Sequence, residues 1–256
     1  MERRTAILLL AVLFVASSAW LLSPVSASPS AQIQNESTYV DENGDFHVVG
    51  EIMNTGNVWL TQVRVSATLR AQNASIIDFP VAFTYLNYIS PGVAAGFNLM
   101  EESAAYSSAV ASYTLNLEFH ASQPVTFALS FFNVTASKNV FGSLQLDGFV
   151  QNNGNTPSTY TKIVGTFYGA DGKVVYVGMT LADPNNIPIG NHQPFSLSVA
   201  GFERSNLVTS WTLHAESQEY TSIPEWPTPA IMVGTVLSLS ILVLRKTKRS
   251  PSFPAR

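Results

Sequence analysis

Gly50-Glu51-Ile52-Met53-Asn54-Thr55-Gly56-Asn57 returns later in the chain as Gly148-Phe149-Val150-Gln151-Asn152-Asn153-Gly154-Asn155. The offset, about 98 residues, is too long for a solenoid unit and suits one small domain. Carried along without a gap, it matches Thr68 to Thr166, Gly92 to Gly190, Phe97 to Phe195, Leu99 to Leu197 and Tyr113-Thr114-Leu115 to Trp211-Thr212-Leu213. Ungapped agreement over this length marks a duplication. The 256 residues therefore divide into two related units, each large enough to bury a core of its own.

The quoted stretch is the end of a strand and the turn that follows it. Phe46 to Ile52 reads as a strand, and Asn54-Thr55-Gly56-Asn57 as a turn in which Asn and Gly accept left-handed geometry. Val63 to Leu69 alternates apolar with polar or small residues, the pattern of a sheet with one buried face. In the second copy Ile163 to Tyr168 takes the same place, then Asp171-Gly172 centres a hairpin turn and Val174 to Val177 continues it. Turn signals about every 8–12 residues and the scarcity of charge predict an all-β chain, a sandwich or barrel. Helix is expected only as a turn near Glu101 to Ala105 and its counterpart.

These residues resemble the FxLYD domain. The second copy carries its pattern in Gly148 to Asn155, in Thr166-Phe167-Tyr168-Gly169-Ala170-Asp171-Gly172-Lys173-Val174-Val175, and in Ile189-Gly190 ahead of Phe195-Ser196-Leu197. In the first copy Tyr39-Val40-Asp41 to Asn57 and Pro91-Gly92 to Leu99 fit, whereas Leu69-Arg70-Ala71-Gln72-Asn73 lacks the Tyr and the Asp-Gly turn. The resemblance implies two tandem immunoglobulin-like β-sandwich domains, 28–122 and 123–220, of a kind found on prokaryotic surface proteins, and it implies no catalytic residues.

Both ends are membrane-directed. Glu2-Arg3-Arg4, the apolar run Ala6 to Leu22 and Val25-Ser26-Ala27 form a signal peptide over 1–27, with maturation expected near Ser28; the alternative is an uncleaved signal anchor. After a linker at 221–228, residues 229–244 are apolar apart from Thr235, Ser238 and Ser240, and predict a transmembrane helix; a buried core helix is the alternative. The basic tail 245–256, with Arg245, Lys246, Lys248 and Arg249, belongs in the cytoplasm by the positive-inside bias, giving a single-pass type I cell-membrane topology with the domains extracellular. Pro224-Glu225-Trp226-Pro227 followed by an apolar run and a basic cluster resembles the Pro-Glu-Phe-type C-terminal anchors of archaeal surface proteins, with Trp226 in place of Phe. An interfacial aromatic explains Trp226 equally well.

Charge and cysteine narrow the function classes. Between Ser28 and Leu244 six Lys/Arg stand against sixteen Asp/Glu, so the displayed region is acidic and offers no face for nucleic acid. Cysteine is absent, which rules out disulfides and thiolate metal sites; stability rests on core and sheet, as is common in prokaryotic surface proteins.

Candidate sites are few. Asn35, Asn73 and Asn133 head N-glycosylation sequons, and Asn35 and Asn133 are repeat equivalents. Asp41-Glu42-Asn43-Gly44-Asp45 gathers carboxylates around a bend, but a plain hairpin turn explains it without calcium. His47, His120, His192 and His214 lack partners at ligand spacing and read as solvated or edge histidines. Trp59 and Tyr160 follow the repeated turn and could stack on sugars or peptides; covering the end of the core is the favoured reading. No Gly-x-Ser-x-Gly elbow occurs, and a carboxylate pair in a cleft between the units would escape notice in a sequence. The expectation is a protein without catalysis, metal or cofactor, displayed on a prokaryotic (archaeal-type) surface for structural, adhesive or partner-binding work with envelope proteins or glycans. The alternative is an accessory ectodomain subunit of a membrane enzyme or transporter.

Overall fold

The computed structural model describes residues 27–225, and these are built mainly of strands. The expected apolar segments at 6–22 and 229–244, the tail, and Trp226 and Pro227 lie outside the described residues. Among the described residues no helix is long and apolar enough to cross a membrane.

The first half runs β1 (Ala31–Val40), β2 (Phe46–Asn54), β3 (Trp59–Arg70), β4 (Ile76–Asp78), β5 (Val81–Phe83), β6 (Tyr88–Ile89), β7 (Ala94–Glu101), α1 (Ala104–Ser107) and β8 (Ser112–Ser122). The second runs β9 (Thr126–Lys138), β10 (Leu144–Asn152), β11 (Lys162–Tyr168), β12 (Val174–Leu181), β13 (His192–Ser198), α2 (Phe202–Leu207), β14 (Ser210–Glu216) and β15 (Tyr220–Ser222). The repeat seen in sequence is repeated in register: Phe46 pairs Glu101 as Gln145 pairs Ser198 one step along the equivalent ladder, and Arg70 pairs Ser112 as Tyr168 pairs Ser210.

In the first half β1-β2-β7 forms one sheet, and β3 joins β4, β5, β6 and β8 in the other. Ile52, Phe97 and Leu99 from one sheet meet Leu60, Val65 and Leu69 from the other, all essentially inaccessible. The alternation Val63, Val65, Ala67, Leu69 supplies the inward row, as the period of two requires. In the second half β9-β10-β13 faces β12-β11-β14 around Leu146, Ile163, Phe167, Phe195 and Leu213. There the short strand β15 turns back antiparallel to β14 and lies parallel to β9, joining the two sheets into one.

Two devices in the quoted stretch account for its recurrence. Asn54, fully buried, donates from Nδ2 to the carbonyls of Val58 and Ile89 and accepts from the Gly56 N–H; Asn152 does the same with Thr156, Ile187 and Gly154. A β-bulge in β1 and another in β9 stand opposite the repeated glycines, with Asn35 at φ 56° and Asn133 at φ 52°. A side chain on Gly50 would strike the Phe97 ring at 2.9 Å, and one on Gly148 the Phe195 ring at 3.1 Å. The motif is thus a bulge, a ring laid over glycine, and an amide staple.

The Asp-Gly turn that the first copy lacks in sequence is nevertheless formed. Ala74 takes the left-handed place of Gly172, φ 65° against 77°, and the Ala71–Ser75 loop closes with the same backbone bonds as Gly169–Lys173. The single strand β12 is divided in the first half into β4 and β5 by Phe79-Pro80, because Pro80 occupies the place of Gly178 and has no N–H to give a ladder.

Candidate functional site

The halves meet face to face. The outer side of β1-β2-β7 lies on the outer side of β11 and β12, and the contact begins with a glycine: a Cβ on Gly96 would stand 2.7 Å from the side chains of both Thr166 and Val177. Tyr39 and Val49 pack there against Val174 and Val177, and Val164 is counted into the first half's core. The Ser37 hydroxyl donates to the Val174 carbonyl.

Charge is buried in this junction with its partners supplied. Glu51 accepts from Gln34 Nε2 at 2.9 Å, from Asn35 Nδ2 at 2.7 Å and, across the junction, from the Tyr168 hydroxyl at 2.8 Å. Burial and then the Glu51 charge hold the Tyr168 hydroxyl well above its ordinary pKa. Glu216, 1% exposed, accepts the backbone N–H of Tyr88 at 2.9 Å and of Asn87, and its Oε2 lies 2.8 Å from Lys162 Nζ. A carboxylate so surrounded is costly to strip of any one partner.

Clefts open at the margins, among them one of about 460 Å³ where Val81 and Phe83 of β5 face Met179 of β12. The largest, about 550 Å³, runs between the Asp41–Asn43 turn and α2. In it the Arg204 guanidinium lies 3.8 Å over the Tyr39 ring, whose other neighbour is the His47 ring, stacked at 4.4 Å. His47 Nδ1 is 2.9 Å from Asn98 Oδ1, so Nδ1 carries a proton; Nε2 has no hydrogen-bond partner and faces Asp41 Oδ2 at 3.6 Å. Burial lowers the Arg204 pKa, and burial followed by Tyr176 raises that of Tyr39. Another cleft, about 430 Å³, is lined by Tyr88, Tyr160, Lys162, Met179 and Glu216.

The sequence-derived candidates fall as follows. Asn35, Asn73 and Asn133 are all exposed, and the Asn35 amide nitrogen is held by Glu51. Asp41 is a turn-former: its Oδ1 accepts from the N–H groups of Asn43 and Asp45, as Asn139 does with Phe141 and Ser143, and the Asp45 bond leads in lowering its pKa. Among the described residues no three His, Asp or Glu groups come together as for a metal. His120 and His192 are exposed as expected, but His47 and His214 are buried, because both lie on strand faces that the junction covers. Burial lowers the His214 pKa to about 4. Trp59 is buried against Phe127, rings 5.3 Å apart, at the end of the core, whereas Tyr160 is 62% exposed at a left-handed position shared with Gln62. Pro224 and Glu225 close the described chain, Glu225 bridging Leu213.

Glu101 and Asp78 form a carboxyl pair inside the first half. Burial and then Asp78 raise the Glu101 pKa; one oxygen accepts from Ser103 N–H at 2.9 Å and the other has no hydrogen-bond partner. Neither residue lines the junction clefts. What the sequence reading missed is the junction itself. Its one signal was Glu51 standing where the repeat has Phe149, a charge and a ring at equivalent outward positions.

No family model matches the chain and no curated protein matches it. Among solved structures it is similar to a transglutaminase of red sea bream, with 10% identity, a TM-score of 0.28, and coverage of 80% of this chain but 31% of that one. The chain thus spans about a third of that protein's length, and a likeness of this size bears on neither fold nor chemistry.

Proposed function

We propose that this is a membrane-anchored protein of a prokaryotic, archaeal-type cell surface that displays two tandem immunoglobulin-like β-sandwich domains, 28–122 and 123–220, for structural, adhesive or partner-binding work without catalysis. The observation that carries the reading is an acidic, cysteine-free β-rich body bracketed in sequence by a signal peptide and a basic-flanked apolar segment. The repeat of ladder register at the offset of the sequence repeat supports the domain boundaries. The resemblance to the FxLYD domain and to Pro-Glu-Phe-type anchors supports the setting. Among the described residues Ser37, Glu51 and Glu216 bond to groups of the other half, which suits a spacer or display module. Asn73, at a hairpin tip, and exposed Asn133 are the favoured glycan acceptors.

Crosslinking on living cells, followed by solubilisation and identification of what co-purifies with the tagged chain, tests it. Recovery of the chain with itself, with envelope proteins or with glycans is the expected result. A single stoichiometric membrane enzyme or transporter would replace it with an accessory-subunit role.

A further inference from the structure

The junction between the halves uses one face of each unit and leaves the equivalent face of the other bare. The first half spends its β1-β2-β7 face on the β11-β12 face of the second. Left uncovered are the outer face of β9-β10-β13 and the outer face of β3, β4, β5 and β8. Each is the counterpart of a face that is already docked.

Both bare faces carry apolar side chains, exposed along β4 and β5 and half-buried on β9 and β10. On β4, β5 and the Phe79-Pro80 break between them, Ile76, Phe79, Val81 and Phe83 are 49%, 60%, 50% and 61% exposed. Of their counterparts at the offset, Val174 and Val177 are buried by the junction, whereas Met179 and Leu181 at its margin stay 48% and 43% exposed. On the other bare face Phe132 and Phe149 stack at 5.2 Å, and His192 stands edge-on to both at 5.0 and 5.2 Å. The exposed cluster along β4 and β5 is of the kind that marks a contact surface.

The geometry points to head-to-tail self-association, the β9-β10-β13 face of one copy seating on the β3-β4-β5-β8 face of a second copy of this chain. Position by position, the contacts of the internal junction are replaced by compatible ones. Where Glu51 meets Tyr168, the bare faces offer Phe149 and Arg70, a ring and a guanidinium suited to cation–π contact. Val49, which packs in the cluster beside Tyr168, is replaced by Asp147, placing a carboxylate toward that same Arg70. Ser37, whose hydroxyl reaches across the junction, is replaced by Thr135. The spacing must be wider than inside the chain. Gly96 becomes Pro194 and Val177 becomes Phe79, both bulkier at the closest point, and the aromatic rings fill the added gap.

Because the two faces are unlike, the contact is heterologous and generates a ring or an open row. The inference does not rest on surface display, and it applies to the chain whose Asn133 carries no glycan.

The absence of cysteine makes the test clean. Thr135→Cys and Ile76→Cys are introduced singly and together into the full chain, produced in a host without asparagine glycosylation since Asn133 borders the β9 face, and treated with a short bis-maleimide. The expected result is a ladder of dimers, trimers and larger species from the double variant, no product from either single variant alone, and dimers only from a mixture of the two singles. Arg70→Glu in the double variant should weaken the ladder by about tenfold, and Asp147→Arg added to it should restore the ladder. No ladder, crosslinking of one single variant to itself, or a ladder indifferent to Arg70→Glu would overturn the proposal.

Discussion

Asn54 and Asn152 show how much one side chain decides. Each is buried and bonded at three points, so replacing Asn54 by Ala strands two carbonyls and an N–H in the first half. The expected cost is about 3 kcal/mol, read as a shift of the denaturant midpoint at constant slope; a loss below about 0.5 kcal/mol would show that water replaces the staple. Ala74 offers the opposite change. Ala74→Gly removes the Cβ from a left-handed position and should raise stability by about 1 kcal/mol in the same assay. The asparagine was legible in the sequence because it recurs with its glycine. Ala74 was not, since nothing local marks an alanine at positive φ; only the alignment with Gly172 does, and the turn type follows from the ladder that the flanking strands impose.

At the scale of elements, the bulges in β1 and β9 share backbone geometry but differ in what faces them. Asn35 is held by Glu51, whereas for Asn133 the repeat equivalent of Glu51 is Phe149, whose side chain has no acceptor. Mass spectrometry of the chain from its own membranes should therefore find glycan at Asn73 or Asn133 and an unmodified Asn35; a fully occupied Asn35 would contradict this ordering. β14 brings His214 beside Val164 of β11, with Glu216 and Lys162 the charged groups next along that face. Folded His214 stays neutral down to about pH 4, while the unfolded chain takes up a proton near its ordinary value of 6.5. The unfolded state then binds more protons between these limits, so stability falls as pH drops from 6.5 to about 4 and is unaffected by this group above that window. The upper bound on the loss is about 3 kcal/mol. Denaturation of His214→Gln at pH 7 and pH 4.5 should show a shallower decline than the parent chain, and an equal decline would locate the acid sensitivity elsewhere. Strand periodicity was readable for β3 and β11, but the burial of His214 was not: a histidine without partners at ligand spacing reads as solvated, and its ladder neighbour Val164 is packed by the other half of the chain.

For the whole molecule, duplication was legible and association of the copies was not. A repeat fixes what each unit buries within itself, through the inward rows of its strands. Which outward rows meet depends on differences between the copies, such as Gly96 against Pro194 and Glu51 against Phe149. Those differences are small in sequence and large at a surface, because one missing Cβ sets how closely two sheets approach. The largest cleft, with Arg204, Tyr39 and His47 in a column, exists only as a product of that approach.

The central claim, that the β-rich body stands outside the cell and the basic tail inside, is tested most directly by cysteine labelling. The chain has no cysteine, so Lys173→Cys, in an exposed turn, and Ser252→Cys, in the tail, each report one side. The account predicts that a membrane-impermeant maleimide labels Lys173→Cys on intact cells and Ser252→Cys only after permeabilisation. Protection of Lys173→Cys until the membrane is opened would contradict it.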